Sequence, residues 1–498
     1  MTTWTKDSLG LLVAERLGGQ KLIAVSNREP YPEGPANGLT TAMEPILRAS
    51  GGTWVAQGTG NRNRRRADIR DRVHVPPEAP AYTLRRVWLP EDVETEYYYG
   101  LAREGLWPLC HIAFRQPRFS FRSWKSFRRA NEMFAQAVLE EAAGKPAFVF
   151  IQGYQLSLLP GMLKRHNPNL AIAQFWQIPW PNSEVFRTFP WKDELFDGLL
   201  GNDLLGFHVR HHCANFIETI DRHVESFTDE ENGRVTRAGH ATTVRPYPVG
   251  IDFAEHSALA ASEEVGDATG QWLQELGTRP EILGIGIDRI DYTKGIPERL
   301  HALDRLFEEH PEYTGRLVFL QVGLPGRIAT AGDDVLNQEL LAQVAAMNRK
   351  WGRGAWRPVI FVRKHVEPAA LMALHLMADF CMVTSLHDGM NLVAKEFVAS
   401  RIDADGVLIL SAFTGAAREL TDALIVNPFA VQEMADVIHD AINMPAPERR
   451  RRMNKCRAAV SANNIYRWAG KIIGALSGVE VGQKPYNGIH EVLKAGAA

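Results

Sequence analysis

"GIGIDRIDYTKG" (residues 284–295) and "SLHDGMNLVAKEF" (residues 385–397) decide how this chain is read. Each begins where an apolar run stops, and each places charges and glycine in the residues that follow. In an open α/β sheet this is the carboxyl end of a strand, where ligands bind. In the first stretch Arg289 and Lys294 follow the strand, and Gly295 closes the turn. Two fixed cations so close together can neutralise a diphosphate leaving group by stabilising charge as it develops. The alternative is that Asp288 and Asp291 pair with them. "GIG" lacks the third glycine of a dinucleotide fingerprint, which speaks against a nicotinamide dehydrogenase.

In the second stretch Gly389 permits a tight turn, and "MNLVAKEF" consists of good helix formers. The backbone N–H groups from Gly389 through Met390, Asn391, Leu392 and Val393 are then offered to an anion at a helix start. Asp388 sits on the turn, where its carboxylate can accept from sugar hydroxyls. Glu396 follows eight residues on, about 12 Å along a helix rising ~1.5 Å per residue, within reach of a ribose. The ordinary alternative makes Asp388 an N-cap and Glu396 a surface charge.

Working outward, short apolar runs alternate with helical patterns. "KLIAVSNR", "AFVFIQ" and "LAIAQFWQ" lie in the first half, and "EILGIGI", "GRLVFLQVG", "PVIFVR", "DFCMVTS" and "GVLILSAF" in the second. Such alternation predicts parallel sheets covered by helices on both faces. A chain of 498 residues exceeds one core, so two doubly wound α/β domains are expected, over 1–248 and 249–464. The strand "TTVRPYPVGI" (242–251) should cross between them, and a C-terminal helix, about 465–498, should pack back on the first.

The formal net charge of −2 supplies no field to draw nucleic acid or an anionic membrane. No stretch reaches the roughly 18 apolar residues of a membrane span, and the N-terminus lacks a secretory apolar core. Four scattered cysteines argue against a zinc site or a disulfide framework and fit a reducing cytoplasm. "NRNRRRADIRDR" (61–72) reads as a solvated loop, or as a lid over a phosphate-bearing ligand. "PERRRRMNK" (447–455) reads as a surface helix, and "DAD" (403–405) as a loop.

Further positions stand at strand ends or in loops. Arg28 ends the first strand, and Asn37-Gly38 can open backbone N–H groups to phosphate. Tyr98 and Trp107 lie in "TEYYYGLAREGLWPLCH", and Arg327 in "VGLPGR"; taken singly they read as core or solvated side chains. "FVFIQGYQLSLLP" (148–160) and "AIAQFWQIPWP" (171–181) end differently. Gln152, Gly153, Gln155 and Gln177 put neutral amides and a bare glycine where catalysis ordinarily wants carboxylates and imidazoles.

In order along the chain, "SNR", "LWP", "IPWP", "NDLLGFH", "DRIDYTKG", "DGMNLVAKEFVA" and "GVLILSAFTGAARELTDALIVNP" resemble the trehalose-6-phosphate synthase family of retaining glycosyltransferases, from about residue 21 to residue 470. The resemblance implies the GT-B fold, two Rossmann-like domains facing a central cleft. It also implies a nucleotide-sugar donor, UDP- or GDP-glucose, with no cofactor and no required metal. By position, Arg289 and Lys294 would grip the donor diphosphate. Asp388 and the backbone of Gly389–Val393 would hold donor sugar and phosphate, Glu396 the ribose, and Gly38 part of the loop over the donor. Arg28, Tyr98, Trp107 and Arg327 would hold the acceptor's phosphate. The family mechanism is a front-face displacement in which the leaving phosphate helps deprotonate the acceptor, so no enzymic nucleophile is needed.

Two positions depart from the family. Gly153 stands where an aspartate contacts the acceptor ring, and Gln177 where a histidine lies beside the donor sugar. Losing that carboxylate removes a charge-assisted hydrogen bond of roughly 1.5–3 kcal/mol. If Gly153 adopts positive φ, any side chain there also strains the turn. Trehalose 6-phosphate is the default product. Glucosylglycerol-phosphate synthesis, a pseudo-glycosyltransferase with an altered acceptor, and a non-catalytic sugar-phosphate sensor are the alternatives, with self-association of the chain left open.

Overall fold

The computed structural model describes residues 4–30, 38–59, 67–277, 279–324 and 331–479. The chain divides at Val249/Gly250 and again at Asn464/Ile465 into two compact units. The N-terminal residues and the last helix form one unit, and the residues between form the other.

The first unit carries β1 (Leu22–Ser26), β2 (Thr53–Gln57), β3 (Arg72–Val75), β4 (Tyr82–Val87), β5 (Ala147–Gln152), β6 (Leu170–Phe175), β7 (Leu204–Phe207), β8 (Phe227–Asp229), β9 (Arg234–Arg237) and β10 (His240–Pro246). They form one sheet in the order β3-β4-β2-β1-β5-β6-β7-β10-β9-β8. Every pairing from β4 to β10 is parallel, and antiparallel β3 and β9 with β8 close the two edges. Along β1, β5 and β6 every residue is buried, as expected for parallel strands covered on both faces. β1 turns towards β2 on one side and β5 on the other, so the switch point lies where Ser26 pairs with Gln152.

The second unit has a single parallel sheet. Its strands are β11 (Ile282–Arg289), β12 (Leu317–Leu324), β13 (Val359–Val362), β14 (Phe380–Val383), β15 (Val407–Ser411) and β16 (Leu424–Val426), in the order β13-β12-β11-β14-β15-β16. Here the switch point falls between β11 and β14, and the two stretches that decide the fold run out of these two strands.

The strand expected to cross between units stops at Pro246, because Pro246 and Pro248 lack the N–H groups a ladder would use. Residues 240–246 complete the first sheet instead. Strands β2 and β4 mix Thr, Gln and Arg with apolar residues, and β7 and β16 are very short, so none of the four stands out as an unbroken apolar run. Basic residues 447–455 do lie on a helix, Ala446–Ala462. Of the basic stretch 61–72, residues 61–66 lie outside the described residues, while Arg72 opens β3 and pairs with Glu141. In "DAD", Asp403 pairs with Arg401 and Asp405 with Arg449, so both outer carboxylates have structural partners.

The helix Ile465–Leu476 closes the core of the first unit. Its Trp468 packs on Phe150 of β5 and Phe175 of β6, with ring centroids 6.0 and 5.1 Å apart. Ile465, Ile472 and Leu476 join Leu9, Val13 and Leu17 of the first helix, Lys6–Leu17, in the same cluster. Trp468→Ala is expected to lower the stability of this unit by about 3–5 kcal/mol, the usual cost of deleting a buried indole. Denaturant unfolding followed by circular dichroism measures it.

Candidate active site

In the first unit the carboxyl end of β1 is tied down by its neighbours. Ser26 Oγ accepts from Trp54 Nε1 at 2.9 Å and donates to the carbonyl of Arg28 at 2.6 Å. Asn27 Oδ1 accepts from Tyr97 Oη at 2.8 Å. Glu29, next along, makes a buried ion pair with Arg86 at 2.7 Å. Arg28 is therefore presented to solvent from a rigid strand end, and its guanidinium donates to Tyr98 Oη at 2.9 Å. Tyr98 belongs to a π-helical stretch, Thr95–Leu106, which runs into the short helix carrying Trp107. Trp107 is half-buried, stacks on His111 at 4.0 Å, and lies 6.3 Å from Tyr154, the residue after Gly153. Gly38 opens the helix Gly38–Ser50. Arg327 and Asn37 lie outside the described residues.

The amide-rich lip lies beside this strand end. Gly153 has φ +98° and ψ 156°, a conformation open to glycine and costly for other residues. Its N–H donates to Phe175 O, and its carbonyl accepts from Gln174 Nε2 at 3.0 Å, whose own Oε1 accepts from Asn202. A Cβ at this position would collide with Gln155 Oε1 and stand 3.7 Å from Gln177 Nε2. The amide of Gln155 thus occupies the room that a side chain at 153 would need. Gln177 is exposed, and its backbone carbonyl is 3.1 Å from His208 Nε2.

The second unit builds its site on a buried cation. Arg299 is wholly inaccessible and reaches Asp288 at 2.8 Å, Gln321 at 2.7 Å and Thr384 at 3.0 Å. Gly286 makes this possible, since a Cβ there would strike the Arg299 guanidinium. Internal pairing of Asp288 with Arg289 or Lys294 is thereby corrected: Asp288 belongs to Arg299. Asp291 instead accepts from Thr293 N and Oγ1, which shapes the turn before Gly295. Gly295 has φ +64°, and a Cβ there would meet the carbonyl of Thr384.

On this base the two loops meet. Lys294 Nζ donates to Asp388 Oδ2 at 2.5 Å, and both side chains are largely shielded from solvent. The same oxygen accepts from Ser385 Oγ at 3.3 Å and Asn391 Nδ2 at 3.2 Å. Arg289, at the tip of β11, is exposed. The helix start differs from expectation. The helix runs Leu392–Ser400, and its N-cap is Asn391 (φ +75°), whose Oδ1 accepts from Ala394 N, rather than Asp388. Residues 388–391 precede the helix, with Asp388 bridged to Thr414, so the 12 Å helical spacing to Glu396 does not apply. Gly389 is packed against Gly415, where a Cβ would meet the Gly389 carbonyl.

Glu396 is half-buried on the following turn of that helix. Burial pushes its carboxyl above the ordinary range, opposed by the nearby His256. Lys395 is fully buried and bidentate to Glu419 at 3.1 Å, its ammonium pushed downwards by burial against the pull of that carboxylate. Arg299, Lys395 and Glu419 were given no role in the sequence reading. Their signal was faint: lone charges inside otherwise apolar helix faces, or inside the "GAAREL" run.

Asp288→Ala would leave the Arg299 guanidinium buried without its carboxylate. It is expected to destabilise the second unit by about 3–5 kcal/mol, as breaking a buried ion pair does. Thermal and denaturant unfolding measure it, and an unchanged midpoint would refute the structural role.

The profile of glycosyltransferase family 20 matches residues 20–478. A trehalose-6-phosphate synthase of Mycobacterium sp. (strain KMS) is 35% identical over 486 residues, covering 94% of this chain and 97% of that one. The Mycobacterium leprae (strain TN) protein of the same name is 35% identical over 483 residues, covering 93% and 96%. Among solved structures, the Escherichia coli protein bound with UDP-2-fluoro glucose matches with TM-score 0.84 and 29% identity, covering 93% of this chain and all of that one. A UDP-forming trehalose-phosphate synthase from Burkholderia xenovorans in complex with glucose 6-phosphate matches with TM-score 0.82 and 29% identity, covering 92% and 100%. Two parallel-rich sheets of this kind are the GT-B fold. The chain belongs to glycosyltransferase family 20 and is a retaining, nucleotide-sugar-dependent glycosyltransferase of the trehalose-6-phosphate synthase type.

Proposed function

We propose that the chain transfers glucose from UDP-glucose to glucose 6-phosphate, with the second unit holding the donor and the first the acceptor. The observation that carries this is the 2.5 Å contact of Lys294 with Asp388, which brings a phosphate-type cation and a sugar-type acceptor from separate strand ends to one point. Arg289 and Lys294 neutralise the diphosphate as the C1–O bond to it breaks. The new C1–O bond forms to an acceptor hydroxyl, whose proton passes to the departing phosphate oxygen. Asp388 and the N–H groups of Leu392 and Val393 hold donor sugar and phosphate, and Glu396 the ribose. Arg28, steadied by Tyr98, meets the acceptor's phosphate.

Arg289→Ala is expected to reduce turnover at least ~10²-fold, by analogy with loss of one preorganised charge-stabilising donor. Steady-state release of UDP measures it, and near-normal turnover would remove Arg289 from the site.

A second reading rests on Gly153. Its positive φ and the Gln155 amide standing in its side-chain space leave a neutral lip where the family has a carboxylate. Such a lip favours an acceptor other than a glucose ring, with the phosphate grip kept. A mass-spectrometric screen of UDP- and GDP-glucose against glucose 6-phosphate, glycerol phosphate and cyclitol phosphates separates the two. Both readings expect each phosphorylated acceptor to outperform its phosphate-free form strongly. Equal rates on the two forms would overturn the role given to Arg28.

A further inference from the structure

Away from the strand ends just described, His310, Glu312 and His439 form a compact group. Each offers one ligand atom, and these atoms all lie within 4.8 Å of one another. His310 ends the helix Ile296–Glu309, its N–H bonded to the carbonyl of Leu306 at 2.8 Å. His439 lies on the helix Val431–Asn443. The two imidazoles are stacked with centroids 3.8 Å apart, and Glu312 Oε1 stands 3.1 Å from His310 Nδ1.

We propose that His310, Glu312 and His439 form a binding site for a late first-row divalent cation, of which zinc is the representative. Two imidazoles and one carboxylate are a donor set suited to Zn²⁺, Cu²⁺ or Ni²⁺ rather than Mg²⁺, and three protein ligands leave a fourth position for water. The absence of paired cysteines does not bear on such a site.

Two further observations point to a cation. Tyr313 Oη lies 2.8 Å from His439 Nδ1 and itself accepts from Asn443 Nδ2 at 2.8 Å. That contact orients the ring through Nδ1, and Nε2, the remaining ligand atom, has only a long 3.4 Å contact with Asn443 Nδ2 to exchange for a metal. Metal-binding histidines are ordinarily held in this way through their second nitrogen. The site also lies at a helix carboxyl terminus, where the macrodipole favours positive charge. The neighbouring cation, Arg316, is engaged with Glu281 and with the Glu312 carbonyl. The ordinary alternative is an exposed His310–Glu312 pair with no affinity for metal.

The location sets the consequence. The helix ending at Glu309 starts beside the carboxyl end of β11 and runs back before β12 begins at Leu317. The group therefore stands at the amino edge of the sheet, opposite the loops that carry Lys294 and Asp388. A bound ion would pin two helices together without touching the chemistry.

The test is calorimetric titration of the full chain, stripped of metal, with zinc and separately with magnesium. One equivalent of zinc, no comparable magnesium binding and a raised melting temperature are expected. Glu312→Gln, an exposed change that spares the fold, and His439→Gln should each weaken zinc at least ~10-fold. Tyr313→Phe, which removes no ligand, should weaken it by about 10-fold. Zinc binding should leave the glycosyl-transfer rate unchanged. The proposal is overturned if the chain binds no zinc, if both ligand variants bind as tightly as the parent, or if magnesium binds equally well.

Discussion

The buried guanidinium of Arg299 supports the sheet of the second unit. Arg299 joins the end of β11 through Asp288, β12 through Gln321 and the end of β14 through Thr384. Inside a sheet an isolated charge is untenable, so the strands must close around it in one arrangement. That arrangement fixes where the loops after β11 and β14 begin, and hence where Lys294 and Asp388 meet. In the first unit Trp54 and Tyr97 clamp the end of β1, with the buried Glu29–Arg86 ion pair just beyond it.

The strand-end cluster of each unit follows from topology as much as from side chains. In each unit the chain leaves a central strand in opposite directions, which opens a gap at the carboxyl edge. Ser26 with Gln152 marks that gap in one sheet, and β11 with β14 in the other. Glycines are placed where backbone meets backbone: Gly295 against Thr384, and Gly415 against Gly389. These close contacts make the loops stiff, so the charges they carry are held in place before any ligand arrives.

Much of this was legible in the sequence. Parallel strands buried on both faces read as unbroken apolar runs, so β1, β5, β11 and β15 announce themselves, and the residues just past them could be singled out. What lay beyond reach was pairing across space. Asp288 stands beside two cations in sequence, yet its partner is eleven residues away on a helix face. Asp388 reads as well as a cap as Asn391 does, and only the hydrogen bond from Ala394 N to Asn391 Oδ1 decides it. Lys395 and Glu419 sit in separate motifs, and nothing local says that they touch. Gly153 announced a departure from the family pattern, but its backbone angle was invisible.

That angle bears on which residues the position can accept. With an aspartate at position 153, the space now filled by the Gln155 amide would have to be empty, and the backbone would have to tolerate a Cβ. At φ +98° any side chain at 153 strains the backbone, and the flexible Gln155 amide would also have to swing aside. Position 155 therefore bears on what position 153 accepts, although it need not contact any substrate. What position 153 accepts is thus set by a backbone angle and a neighbouring amide as well as by the residue itself.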